Sequence, residues 1–218
     1  MTIGKVISTN IGEKVSIEYQ GKSVATGIYK YPVNRPVFLG ETGVDTDQVI
    51  DVRYHGGADK ACYIYPMEHY AYWKKRYREL KWEWGMFGEN LTSEGLHESA
   101  LLPGDILSIG AAVVQVSQPR QPCFKLGVRF NDPQMVKVFA GAPYPGIYVR
   151  VLKAGAVVAG DQIRLMEKIK TGPALDEIFA MLMHRDSDKG RYEEAMANEW
   201  LAESARRDLD KIFKPQQD

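Results

Sequence analysis

The chain has 218 residues, 44% of them hydrophobic and 26% charged, the texture expected of a soluble globular protein with room for one sizeable domain or two small ones. Its 28 Lys and Arg balance its 28 Asp and Glu, so no net charge draws it toward nucleic acid or a membrane, and any anion site must be local. The N-terminal stretch has charges every few residues and reads as neither signal peptide nor membrane span. Two cysteines are too few for a disulfide framework, and a reducing, cytoplasmic setting is the expectation.

From residue 1 to about 168, short apolar runs rich in β-branched and aromatic residues are broken by Gly, Pro, Asn and Asp. VISTNI (6–11), SVATGIY (23–29), KACYIYP (60–66), DILSIGAAVVQVS (105–117), GIYVRVL (146–152) and QIRLME (162–167) predict strands, with Gly-containing turns at 102–105 and 159–161. So many short strands point to a mainly β fold closed as a β-barrel rather than to βαβ units. Pro66 stands where a first-turn proline belongs, and the residues through Leu80 predict a helix.

After Gly172 the period changes. Leu175, Ile178, Phe179 and Leu182 recur at helical spacing, a charged break follows at 185–190, and two further helices are predicted over 191–197 and 198–213. The division expected is a barrel domain over 1–168 and a small C-terminal three-helix unit over 172–214.

The stretch from Gln115 to Leu126 carries the strongest chemical signal. Pro119 and Pro122 each fix their own φ and push the preceding residue toward extended geometry, which predicts a stiff non-helical segment presenting Cys123. Arg120, Lys125 and Arg129 lie between 117 and 130 with no acid among them, and positive charge beside a thiol favours the nucleophilic, metal-ligating thiolate. The same pattern also fits a structural cysteine at a strand end. Cys62, inside an apolar strand, reads as core.

Three weaker signals accompany it. In the 54–60 stretch, Gly56 and Gly57 can turn successive backbone N–H groups toward an anion, with Lys60 adding charge and His55 and Asp59 able to hydrogen-bond across the turn or to a ligand. A plain turn between strands accounts for those glycines equally well, and the Gly-Lys-Ser/Thr ending of a nucleotide-binding loop is absent. Asn90, in the turn FGENLT (87–92), can hold the turn or donate to a ligand. The 28–33 stretch with Lys30, followed by Arg35, reads as a basic edge or a solvated face. His55, Asp59, His69 and Cys123 are metal-ligand types, but their spacing matches no zinc motif, and no nucleophile elbow exists for a serine hydrolase.

Together these stretches resemble the MOSC family, whose domain is named for the C-terminal part of molybdenum cofactor sulfurase. The pieces that carry the resemblance occur in family order: KYPV (30–33), HGGADKACYIYPMEHYAYW (55–73), FGENLT (87–92), GDILSIGAAVVQVSQPRQPC (104–123) and GIYVRVL (146–152). They span about residues 25 to 168, and the C-terminal helices resemble the three-helix extension of the bacterial YiiM-like subfamily. The resemblance implies a β-barrel with a few helices and a pocket for the molybdenum cofactor, a molybdenum–pterin. Cys123 then takes the place of the family cysteine as metal ligand or sulfur carrier, and Arg120 that of the arginine in the same loop. His55, Asp59 and Lys60 match the histidine–glycine motif, Asn90 the GEN turn and, more loosely, Lys30 the N-terminal motif.

The activity implied is reduction of N-hydroxylated compounds, such as hydroxylamino-purines and amidoxime-like molecules, to amines. Nothing in the chain resembles a flavin or iron–sulfur motif, so the electrons would come from an external flavin or iron–sulfur reductase. The aminotransferase-like domain of the full sulfurase is missing from this sequence, and no pyridoxal phosphate is expected. Two alternatives stay open: a carrier that holds a persulfide on Cys123, and a module that stores or delivers the cofactor without turnover. Homodimerisation is likewise left open.

Overall fold

The computed structural model describes residues 1–51 and 56–214. The first half contributes β1 (Thr2–Gly12), β2 (Val15–Tyr19), β3 (Lys22–Thr26), β4 (Lys30–Pro32), β5 (Val37–Gly40), β6 (Gly43–Val44), β7 (Cys62–Pro66) and β8 (Leu91–Glu94). The second half adds β9 (Ile106–Ile109), β10 (Ala112–Pro119), β11 (Ile147–Lys153), β12 (Gly155–Val157) and β13 (Gln162–Glu167). Helix α1 (Tyr70–Arg76) lies between β7 and β8, while α2 (Phe124–Arg129) and α3 (Met135–Gly141) lie between β10 and β11. Helices α4 (Leu175–Leu182), α5 (Lys189–Ala197) and α6 (Glu203–Phe213) follow the last strand. Among the described residues no helix is long and apolar enough to cross a membrane.

Seven strands run in the order β13-β9-β10-β11-β7-β8-β1, and β1 pairs back onto β13 through Thr2↔Arg164 and Lys5↔Gln162 to close a barrel. Closure removes the free edges that these seven strands would have in an open sheet. Among the described residues only β7 and β8 pair in parallel, in register at Ile64↔Leu91, because α1 and the loop after it carry the chain back across the sheet. The far end of β1 leaves the barrel and pairs with β4 at Asn10↔Pro32. Alternation along the strands fills the interior with Val6, Ile64, Leu91, Leu107, Ile109, Val114, Val149 and Ile163, all buried. Cys62 belongs to this core, as its apolar neighbours predict.

A second, aromatic core lies under α1, α2 and α3. Tyr65 stacks on Phe87 with centroids 4.2 Å apart, Trp73 donates its indole N–H to the Tyr65 hydroxyl at 2.7 Å, and Phe130 and Phe139 complete the cluster. Burying each such ring contributes about 1.5–3 kcal/mol. Helix α1 ends at Arg76, short of Leu80. Tyr77 leaves helical geometry as its hydroxyl donates to Asp132 at 2.7 Å and its carbonyl accepts from Trp82 at 3.0 Å. Pro66 closes β7 and precedes a single 3₁₀ turn, Met67–His69, instead of opening the α-helix itself.

The C-terminal helices share a third core of Ile178, Met181, Leu182, Tyr192, Ala195, Leu201, Ala205 and Leu209. Leu175 and Phe179 of α4 instead belong to the barrel and aromatic cores. Helix α6 begins at Glu203, five residues later than its apolar period predicts. The segment before it is engaged with the barrel. The Asn198 amide donates to the Pro103 carbonyl at 3.0 Å, the Trp200 carbonyl accepts from Arg150 at 2.8 Å, and the Ala202 N–H donates to Ser117 at 3.2 Å.

Candidate active site around Cys123

Strand β10 delivers the site. It stays paired with β11 up to Pro119↔Ile147, then Arg120-Gln121-Pro122 crosses out of the sheet without regular structure. Pro119 and Pro122 lack N–H groups and cannot extend the ladder, so the stiff segment predicted from sequence is present. Cys123 is extended (φ −130°, ψ 167°) and caps α2, its carbonyl accepting from the Leu126 N–H at 3.0 Å. Its side chain is half-buried.

Two adjoining cavities meet at this thiol. The smaller, about 70 Å³, is lined by Lys30, Asp47, Asn90, Arg120 and Tyr63 among others; the larger, about 870 Å³, by Ser23, Gln118, Gln121 and Asp208 among others. Cys123, Lys60, Lys125, Tyr148, Ile50 and Asp51 line both. The wall of the smaller cavity depends on close backbone approach. A Cβ on Gly27 would lie 1.7 Å from the Gln48 carbonyl oxygen, and Gly85 (φ +86°) would put one 2.6 Å from that of Lys30.

The predicted site residues divide into three groups. Cys123, Lys60 and Arg120 face the cavities. Arg120 is 4% exposed, donates to the Phe87 carbonyl and lies 5.0 Å from the Tyr63 ring centroid. Burial opposes its charge, but Tyr63, Tyr148 and Cys123 around it hold its pKa above the ordinary guanidinium value. Lys60 is pushed below the usual lysine value by burial, against the pull of Asp208 and Asp59.

Lys30 and Asn90 also line the smaller cavity, but their polar atoms are committed to the protein. Lys30 is not on a solvated face. It is buried and ion-paired with Asp47, and burial lowers its pKa in spite of that partner. Asn90 accepts from the Tyr63 N–H at 3.3 Å and donates to Asp47 at 3.0 Å, tying the GEN turn to β7 and to the Asp47 loop. Asp47 also accepts the Gly12 N–H at 2.8 Å.

Asp59 lines neither cavity; its carboxylate is ion-paired with Arg150, and its carbonyl accepts from Ser117 at 2.6 Å. Gly57 (φ +89°) opens a short 3₁₀ turn, Ala58–Lys60. His55 lies outside the described residues.

Sequence reasoning left out Tyr148, Asp51 and Asp208 and treated Lys125 only as background charge. Tyr148 sits inside a strand that reads as core, and Asp208 arrives from α6, 85 residues beyond the cysteine. The alternation of β11 was the available signal for Tyr148, since it follows Ile147 and so faces the other side of the sheet. Among the described residues no group of three or more His, Cys, Asp or Glu is placed to hold a metal ion.

Comparisons with known proteins identify the family and the fold. The model of the MOSC domain matches residues 51–164. The chain is 37% identical over 201 residues to the uncharacterized protein YflK of Bacillus subtilis, covering 92% of this chain and 90% of that one. It is 35% identical over 151 residues to a protein named Reductase from Gibberella moniliformis, matching 68% of this chain and 27% of that longer one. The crystal structure of YiiM from Geobacillus stearothermophilus superposes with a TM-score of 0.79 at 32% identity, covering 96% of this chain and 99% of that one. With the barrel, the helical C-terminus and the cysteine loop all accounted for, this chain belongs to the MOSC family, in its YiiM-like branch.

Proposed function

We propose that the chain is a molybdenum-cofactor-dependent reductase that converts N-hydroxylated compounds to amines, with Cys123 as the protein's ligand to the metal. Membership of the MOSC family supports a function associated with the molybdenum cofactor, and a relative named Reductase supports redox chemistry. The observation that carries the reading is the position of Cys123, a half-buried thiol shared by a small inner cavity and a wide outer groove.

The residues present fit a molybdenum–pterin. A thiol suited to a soft metal stands in the cleft, and cationic side chains suited to a phosphate stand around it. When bound, the group supplies dithiolene sulfurs and two-electron redox chemistry. The protein's part is to hold and orient. Arg120 keeps donors beyond the one given to Phe87, and with Lys60 it would neutralise a phosphate at the cavity wall. Pro119 and Pro122 fix the loop so that the thiol has one direction to offer. An external flavin or iron–sulfur reductase would supply the electrons.

The test is to purify the protein from a host competent in molybdenum cofactor synthesis, measure molybdenum and pterin, and assay an N-hydroxylated purine and an amidoxime with a chemical reductant. Comparable amounts of metal and pterin together with turnover to the amine are expected. Repeated recovery of neither, with no uptake of added cofactor, would sink the reading. Sulfur transfer from a Cys123 persulfide in a protein without reductase activity would assign the carrier role instead.

A further inference from the structure

Two side chains beside Cys123 have polar ends that the protein leaves unused. Lys125 is 8% exposed and Tyr148 7% exposed, and both line both cavities. Neither makes a hydrogen bond or an ion pair with a described residue. The Lys125 ammonium lies 6.0 Å from the Phe124 ring centroid, and the Tyr148 ring packs on Tyr63 at 5.0 Å, contacts that leave the ammonium and the hydroxyl uncommitted. Neither end is sealed in protein: both open onto the cavities, where a ligand can meet a donor that no side chain has claimed.

The carboxylates of the same cleft are already engaged. Asp47 holds Lys30 and Asn90, Asp208 accepts from Gln121 at 3.1 Å, and Asp51 has an interaction of its own. None of them is hydrogen-bonded or ion-paired to Lys125. Lys60 is likewise occupied.

We propose that Lys125 and Tyr148 form an oxyanion-binding subsite next to Cys123, one ammonium and one hydroxyl converging on an oxygen that carries negative charge. Its ligand is a phosphate-like group of the cofactor or a polarised oxygen of the substrate, since both present the same chemistry to these donors. Burial, opposed by Arg120, raises the Tyr148 pKa, so its hydroxyl keeps its proton and donates. The subsite deepens the reading of the Cys123 cleft as the working site. It is tested by binding alone, so the two can fail separately.

The experiment is calorimetric titration of the full chain, as purified without cofactor, with inorganic phosphate. Tyr148→Phe and Lys125→Met keep the ring and the alkyl stem, so circular dichroism and thermal melts should match wild type. Wild type is expected to bind phosphate in the millimolar range or tighter. Lys125→Met should weaken binding about 10-fold or more and Tyr148→Phe about 3- to 10-fold, while Lys81→Ala, an exposed lysine, changes nothing. In cofactor-loaded protein, loss of phosphate binding assigns the subsite to the cofactor's phosphate, and retention assigns it to the substrate. Failure of wild type to bind phosphate, or equal binding by wild type and both variants, overturns the proposal.

Discussion

Glu89 and the Cys123 cleft are both buried and polar, and they lie on either side of Phe87, yet they are built in opposite ways. Glu89 is fully buried, and its carboxylate accepts from the Tyr70 and Thr92 hydroxyls and from the N–H groups of Gly85 and Phe87. Burial still raises its pKa against those bonds. The N–H groups of Gly85, Met86, Phe87, Gly88 and Asn90 in that loop all have acceptors inside the protein. His69 and Glu98 form a similar closed pair at 2.8 Å, with the second Glu98 oxygen on the Gly146 N–H. Around Cys123 the accounting is open, because Lys125 and Tyr148 hold donors without protein acceptors. A polar cluster that completes its own bonds holds backbone in place; one that leaves them incomplete has room for something else.

The largest expected effect probes the open side. Cys123→Ala should fold and melt like wild type while reduction of an N-hydroxylated purine falls to background. Wild-type rates in the alanine variant would show that the thiol is not a metal ligand. Alanine is the cleaner choice, since a serine alkoxide can coordinate weakly.

Glu89→Ala probes the closed side. It strands four donors, and unfolding in urea should show a loss of about 3–5 kcal/mol. A loss below about 1 kcal/mol would mean that water or relaxation replaces the carboxylate and that the loop is less closed than described.

Cys62→Ser separates the two thiols. Cys62 is completely buried in the barrel, and burial pushes its thiol far up. A hydroxyl there should cost about 1–3 kcal/mol of stability with cofactor content unchanged. Loss of cofactor without loss of stability would assign Cys62 a role in the site.

Tyr77→Phe is the mildest test, at a half-open pair. Burial and the hydrogen bond to Asp132 push the Tyr77 hydroxyl up to about 12. A raised folded-state pKa means that this contribution is complete below the unfolded value near 10 and is lost as pH rises through about 12. The variant should lose about 1 kcal/mol at neutral pH and show a flatter decline of stability over that alkaline window. An unchanged alkaline decline would locate the titration at another group.

The local signals in this chain are those a short window can hold. Alternation and β-branched runs in GIYVRVL and QIRLME determined the strands, the two prolines determined the stiff cysteine loop, and the apolar frame of Cys62 determined its burial. The joint spacing of the histidine–glycine and Pro-Arg-x-Pro-Cys motifs determined the family. What no window contains is the pairing of groups distant in sequence. Closure of the barrel required Thr2 to meet Arg164. Lys30 looked like a solvated cation until Asp47, 17 residues on, buried and neutralised it. Asp59 looked like a ligand until Arg150 claimed it. Charge and hydrogen-bonding capacity are properties of a residue, but whether they remain available depends on which partners the fold brings within reach. For that reason Cys123 and the cations near it, Lys125 among them, could be named from the sequence, while the unclaimed state of the Lys125 ammonium and the place of Tyr148 beside it emerged only from the tertiary structure.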